Sequence, residues 1–169
     1  RDRRGDPSVP RPLTSLAAEL DLALRVADAA DAVSLPYFVN RSFHLDWKAN
    51  RTEVTEADRN TESLISSMIL ESRPTHGLFG EEHGLVGDES SPWQWVIDPI
   101  DGTSNFVRGI PVWASLIALV HDGEPVVGVV SAPAMQRRWW AARGLGAFSI
   151  GGRPCRVSSL SLKHISEPT

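Results

Sequence analysis

The sequence predicts an α+β fold, and three features of its pattern carry that prediction. Apolar residues recur at helical spacing over 13–38, and again after Thr55 at Leu64, Ile65, Met68 and Ile69. From Ala114 onwards they instead form runs of strand length: Ala114 to Val120, Val126 to Val130, Arg138 to Ala142 and Ala147 to Ile150. Turn chemistry separates these runs, with Asp122-Gly123 in one gap and Gly144-Leu145-Gly146 in another. Strands joined so briefly are antiparallel. Helix, strand, helix and a train of hairpins therefore describe layers of helix and antiparallel sheet, not a doubly wound parallel sheet.

Taken in order, residues 1–12 hold Arg1, Arg3 and Arg4 among Pro and Gly and read as a disordered leader. In the first helix Leu16, Leu20, Ala23, Leu24, Ala27, Ala30 and Leu35 share helical spacing, Thr14 or Ser15 can cap the start, and Pro36 should disturb or end it. His44 to Lys48 reads as a short strand with Leu45 and Trp47 on one face. Thr55, followed three residues later by Asp58, resembles a capping box that opens the second helix. Gly77-Leu78-Phe79-Gly80 is a short apolar strand that runs into the acidic loop Glu81-Glu82-His83. Trp95, Val96 and Ile97 read as a short buried strand. Trp139 and Trp140, adjacent on a strand, must face opposite sides and are packing residues, not a stacking platform for bases. After Val157 the apolar pattern dissolves into an irregular tail, 158–169.

Composition narrows the function classes. The 169 residues suffice for one domain with a core, and a net charge of −4 leaves no electrostatic footprint for nucleic acid. A single cysteine, Cys155, excludes an internal disulfide framework and a cysteine-rich zinc site, and fits a reducing compartment. No apolar run is long enough to span a membrane, and a cytoplasmic protein is expected.

The chemistry concentrates in residues 93–106. Pro99 biases Asp98 towards an extended conformation at a strand end, and a tight turn through Pro99 and Gly102 would bring Asp101 back towards it, with the Ile100 carbonyl in reach. Three hard oxygens would then converge, the donor type that magnesium prefers. If a helix begins after Gly102, the N–H groups of Gly102, Thr103 and Ser104 lack internal partners and suit an anion. Each part also has an ordinary reading. Asp-Gly-Thr is a common turn before a capped helix, Asp58 can serve only as a cap, the Glu81-Glu82 pair can be solvated loop charge, and His83 a surface residue.

Together, Thr55-Glu-Ala-Asp58, Gly80-Glu81-Glu82 and Trp95-Val-Ile-Asp98-Pro-Ile-Asp101-Gly-Thr103-Ser-Asn-Phe106 resemble the inositol monophosphatase family of magnesium-dependent phosphomonoesterases. The likeness covers about residues 15–157. The stretches from Phe106 to Leu116 and from Val129 to Phe148 look most like that family's histidinol-phosphatase branch. The resemblance implies the layered α/β sandwich of that family, with 13–157 as the N-terminal portion of a phosphatase domain. It implies two or more Mg2+ ions, with Mn2+ as the alternative. Glu81, Asp98 and the Ile100 carbonyl would hold the first, and Asp98 would bridge to a second that Asp101 also holds. Thr103 would hold the nucleophilic water, with Glu81 as its activating partner and Asp58 orienting Thr103. Gly102, Thr103 and Ser104 would meet the substrate phosphate. Lys48 matches a family position near the metals and reads equally well as a strand-end surface charge.

The implied substrate is histidinol phosphate, with inositol or a related sugar phosphate as the alternative. The partner is then a small phosphate monoester, not nucleic acid or membrane, and a homodimer is open to a full-length protein. One departure stands out. Family members carry a further aspartate in a downstream Trp-Asp-x-Ala-Ala-Gly segment, absent from these 169 residues. The expectation is therefore a truncated product, its last residues from about Ser161 foreign to the parent, and either incomplete as a catalyst or kept as an interaction module.

Overall fold

The computed structural model describes residues 16–47 and 53–158. The expected leader, the candidate caps Thr14 and Ser15, Lys48 and the tail beyond Ser158 lie outside the described residues. Helix α1, Ala17–Asn40, buries the small and apolar face of Leu22, Ala23, Val26, Ala27 and Ala30. Of the two outcomes expected at Pro36, an end to the helix does not occur, and α1 continues to Asn40. Proline removes one i→i−4 bond, and both Pro36 and Ala32, whose carbonyl loses that partner, are exposed to water. The helix stops instead at Arg41, in the left-handed region with φ 55°, whose N–H bonds the Tyr37 carbonyl.

Strand β1, Leu45–Trp47, pairs antiparallel with β2, Glu53–Thr55, a strand the sequence pattern had not shown. Helix α2, Glu56–Ser72, follows at once with the predicted capping box in place: Thr55 accepts from the N–H groups of Ala57 and Asp58, and Asp58 accepts from Thr55 N–H. Eight strands then make one sheet: β3 (Gly77–Gly80), β4 (Gly84–Gly87), β5 (Trp93–Asp101), β6 (Ala114–His121), β7 (Glu124–Ala132), β8 (Arg137–Ala142), β9 (Gly146–Ser149) and β10 (Arg153–Pro154). Their order is β10-β9-β8-β7-β6-β5-β3-β4. All neighbours are antiparallel except β3 and β5, which run parallel because β4 folds out to the edge beyond β3. A short helix α3, Thr103–Arg108, links β5 to β6. The hairpin predicted at Asp122-Gly123 is present, with φ of 51° and 80°, the paired positive values of a type I′ turn.

Helices α1 and α2 lie on one face of the sheet. There Leu78, Trp95, Ile97, Ile117, Leu119 and Val129 join the buried helix residues in a single core. The Trp95 indole N–H, fully buried, donates to His76 Nδ1 at 3.1 Å, which satisfies it. Arg138 ties α1 to the sheet through Asp28 and Asp31, both at 2.6 Å. The opposite face is uncovered among the described residues: Phe79 is 53% exposed, Val96 42% and Trp139 39%. The Trp95–Ile97 segment is thus buried on one side only, since strand side chains alternate and only one side has helices. Trp139 and Trp140 do point to opposite faces, with Trp140 packed on the core. A second apolar cluster of Ala57, Ile100, Phe106 and Trp113 lies under the β5–α3 corner, its rings 4.9 Å apart at the Phe106–Trp113 edge contact. Among the described residues no helix is long and apolar enough to cross a membrane.

Candidate active site

The parallel pair positions the first two carboxylates. The parallel pairing closes at Gly80↔Ile97, so the next residues, Glu81 just past the end of β3 and Asp98 still within β5, follow that last pair side by side. Their side chains share a hydrogen bond, and Asp98 Oδ1 also accepts the Ile100 N–H at 3.1 Å. Burial, then the Glu81 charge and hydrogen bond, then Asp101, push the Asp98 carboxyl up to about 8.

The turn expected after Asp98 does not form. Strand β5 continues to Asp101, which still pairs with Ala114, and an irregularity in register between Asp98 and Asp101 takes up the slack. Ser115 Oγ donates to the Pro99 carbonyl at 2.8 Å and holds this bulge on β6. A bulge brings the two carboxylates into electrostatic reach without breaking the strand, because the pairing with β6 resumes on its far side. Gly102 then adopts φ 90°, and a Cβ there would come within 3.2 Å of the Val112 carbonyl, so the corner into α3 requires glycine.

Thr103 opens α3, and its hydroxyl has two acceptors at 3.1 Å, Asp58 Oδ1 and the Ile100 carbonyl. Asp58 therefore serves both readings that its sequence position left open. Oδ2 completes the capping box, taking Thr55 N–H at 2.8 Å and Thr55 Oγ1 at 2.5 Å, while Oδ1 takes Thr103. Burial holds Asp58 above the ordinary carboxylate range, opposed by these hydrogen bonds. At the other end of α3, the Arg41 guanidinium donates to the carbonyls of Phe106 and Val107.

Two carboxylates that the sequence had not singled out support the corner. Glu53 on β2 accepts from Ser104 Oγ at 2.5 Å and Arg108 at 3.2 Å, fastening the hairpin to the first turn of α3. Glu62 on α2, fully buried, accepts the N–H groups of Glu82 and His83, each at 2.7 Å, and lies 2.9 Å from His83 Nδ1. His83 is thus tied to the helix as well as exposed on the surface. The available signal was position: Glu62 stands one helical turn after Asp58, inside the stripe that also holds Ile65 and Ile69. A cleft of about 370 Å³ opens over the corner, lined by Trp47, Glu53, Glu81, Thr103, Ser104 and Arg108.

Among the described residues no group of three His, Cys, Asp or Glu side chains is already set around one ion position, and the Ile100 carbonyl faces Thr103. The donor chemistry nevertheless fits a hard divalent cation. Every candidate ligand is an oxygen, and a cation would offset the burial and the neighbouring Glu81 and Asp101 charges that raise the Asp98 carboxyl.

An α+β sheet with carboxylates gathered where its one parallel pairing ends defines a class of protein. The model of the inositol monophosphatase family matches residues 16–168, and the chain belongs to that family. The histidinol-phosphatase of Mycobacterium tuberculosis is 52% identical over 149 residues, covering 87% of this chain and 57% of the relative. That of Streptomyces coelicolor is 46% identical over 153 residues, covering 88% and 55%. The chain thus spans a little over half the length of these curated relatives. Among solved structures, the extragenic suppressor protein suhB of Bartonella henselae matches with a TM-score of 0.79 at 32% identity, over 85% of this chain and 56% of that one. The inositol monophosphatase of Anabaena matches with a TM-score of 0.73 at 33% identity, over 88% and 52%. The resemblance read from the motifs and the α+β fold both stand.

Proposed function

We propose that this chain is the metal-binding part of a phosphomonoesterase that hydrolyses histidinol phosphate to histidinol and inorganic phosphate. The observation that carries the chemistry is the pairing of Glu81 with Asp98 directly after the last parallel pair of β3 and β5, with Asp101 near enough to raise Asp98 further. The substrate rests on the relatives named histidinol-phosphatase.

In this reading Glu81, Asp98, Asp101 and the Ile100 carbonyl hold divalent cations, Mg2+ before Mn2+. Such ions, when bound, lower the pKa of water and stabilise charge on the attacking and leaving oxygens. The chain's own groups do the rest. Asp58 draws the Thr103 hydroxyl proton towards itself, which turns an oxygen lone pair of Thr103 outwards to accept a hydrogen bond from the attacking water. Glu81 takes the proton that this water gives up as its oxygen bonds to phosphorus. The ester P–O bond breaks on the opposite side, and the departing alkoxide is protonated from solvent. The N–H groups of Gly102, Thr103 and Ser104 face the phosphate oxygens. A cytoplasmic setting belongs to the same proposal and is supported by the free Cys155.

A second reading, an inositol-1-phosphate substrate, is favoured by a Mesorhizobium japonicum relative of that name, 44% identical over 105 residues. Phosphate release from histidinol phosphate and from inositol 1-phosphate, each with and without Mg2+, separates the two. Faster Mg2+-dependent turnover of histidinol phosphate is expected, and a preference for inositol phosphate would reverse the assignment.

A further inference from the structure

Glu62 is a carboxylate with no exposed surface and no part in the hydrolysis described above. We infer that it is the positioning residue of the loop that carries Glu81, and that the ion affinity of the site depends on it although it would touch no ion. The inference rests on the reading of Glu81 as an ion ligand.

The geometry is that of a clamp. The two oxygens of Glu62 are divided between consecutive backbone donors, Oε2 taking the Glu82 N–H and Oε1 the His83 N–H, both at 2.7 Å. Bonds this short to a carboxylate are charge-assisted and stronger than those between neutral groups. Consecutive N–H groups held by a single planar acceptor pair fix the backbone orientation directly after Glu81, and so the direction in which the Glu81 side chain leaves the chain. His83 Nδ1, 2.9 Å from Oε1, closes the loop from its far side.

The approach leaves no room for slack. A Cβ on Gly80 would lie 2.2 Å from Glu62 Oε1, so a side chain at the residue before Glu81 would push the carboxylate off its seat. Glu62 also stands one turn after Asp58 on α2, and Asp58 holds Thr103. The same helix therefore sets both sides of the cleft, the loop through one carboxylate and the start of α3 through the other.

The test compares Glu62→Gln with the parent 169-residue chain by two readouts. One is amide hydrogen exchange at Glu82 and His83, which needs no metal. The other is Mn2+ binding followed by electron paramagnetic resonance. Glutamine keeps the shape but sets an NH2 group against one of the two donors. The Glu82 or His83 amide should exchange at least about tenfold faster, while amides in β6 and β7 keep their protection. Mn2+ affinity should fall about tenfold or more, the usual cost of losing a group that orients a metal ligand. Gly80→Ala, which pushes the carboxylate from the other side, should reproduce both losses and serves if Glu62→Gln fails to fold. His83→Ala, which spares the two backbone bonds, should change affinity by less than about threefold.

Asp98→Asn is the reference. If it weakens Mn2+ binding and Glu62→Gln does not, the clamp is wrong and the metal reading stands. If Asp98→Asn leaves Mn2+ binding unchanged, the metal reading is wrong, and amide exchange alone decides the clamp. Unchanged exchange in both Glu62→Gln and Gly80→Ala overturns it.

Discussion

The large sheet is built on two plans. From β6 to β10 it is a meander in which each strand returns beside the last through a turn of a few residues, so partners are near in sequence. Between β3 and β5 it is parallel, and the chain reaches that pairing only after passing through β4 at the edge. Antiparallel neighbours run in opposite directions, whereas parallel neighbours run the same way, so the residues that follow the last pair Gly80↔Ile97 lie next to each other. That is why Glu81 and Asp98 meet at this one junction, and why the candidate chemistry sits there while the meander supplies the core and the platform.

If that division is right, changes at the two places should have separable effects. The largest is expected from Asp98→Asn, which keeps shape and removes the charge that both ions would share. In a protein with its full catalytic set, kcat/KM should fall about a thousandfold, equivalent to about 4 kcal/mol of barrier. Near-normal turnover would remove the parallel junction from the chemistry. Thr103→Val, which deletes the hydroxyl held by Asp58, should lower kcat about a hundredfold, and Thr103→Ser should restore most of it. A loss that serine does not rescue would point to packing of the threonine methyl instead.

The converse test lies in the meander. Leu119 is fully buried on β6, near the end away from the site, and Leu119→Ala should cost about 2–5 kcal/mol in urea unfolding. Mn2+ affinity of the folded protein should not move, and a parallel loss would merge the two regions into one.

A last effect is a pH slope in the metal-free protein. Asp98 sits at about 8 when folded, against 3.8 as its ordinary value, so between those limits the folded state binds the extra proton. Stability should therefore fall as pH rises from about 4 to about 8 and level off above, the reverse of the usual paired carboxylate. Melting temperature against pH without divalent ions checks the sign, and Asp98→Asn should flatten the curve. Proton and cation compete for the same carboxyl, so Mn2+ affinity should climb over that same range.

What the sequence disclosed follows the same division. Asp122-Gly123 announces its hairpin because the type I′ turn needs positive φ at both positions, a local demand met by local residues. The Asp98 to Thr103 stretch was legible in part: its carboxylates and the corner at Gly102 carry local constraints, whereas the turn expected at Pro99 is a continuing strand. The parallel pairing of β3 with β5 was not. It is set by where β4 goes, and no residue within either strand encodes that. Neither was the bulge at Pro99, which depends on β6 continuing to pair beyond it. Glu62 is not legible either, because a carboxylate inside an apolar stripe reads as an exception until the loop that it holds is folded against it. Asp58 shows a different limit: its position reads as a cap or as a partner of Thr103, and the two oxygens of one carboxylate make both sets of bonds.

The placement of Asp58 and Glu62 on successive turns of α2 also governs how the site responds to disturbance. The helix is seated by Ile65 and Ile69 in the same core as Trp95 and Ile97. A small shift of that seat, from temperature or a distant substitution, carries both carboxylates along together, and with them the loop after Glu81 and the hydroxyl of Thr103. Errors in the two halves of the cleft are then common-mode. The gap between them is conserved even when their absolute position drifts, much as two jaws bolted to one rail keep their spacing while the rail moves.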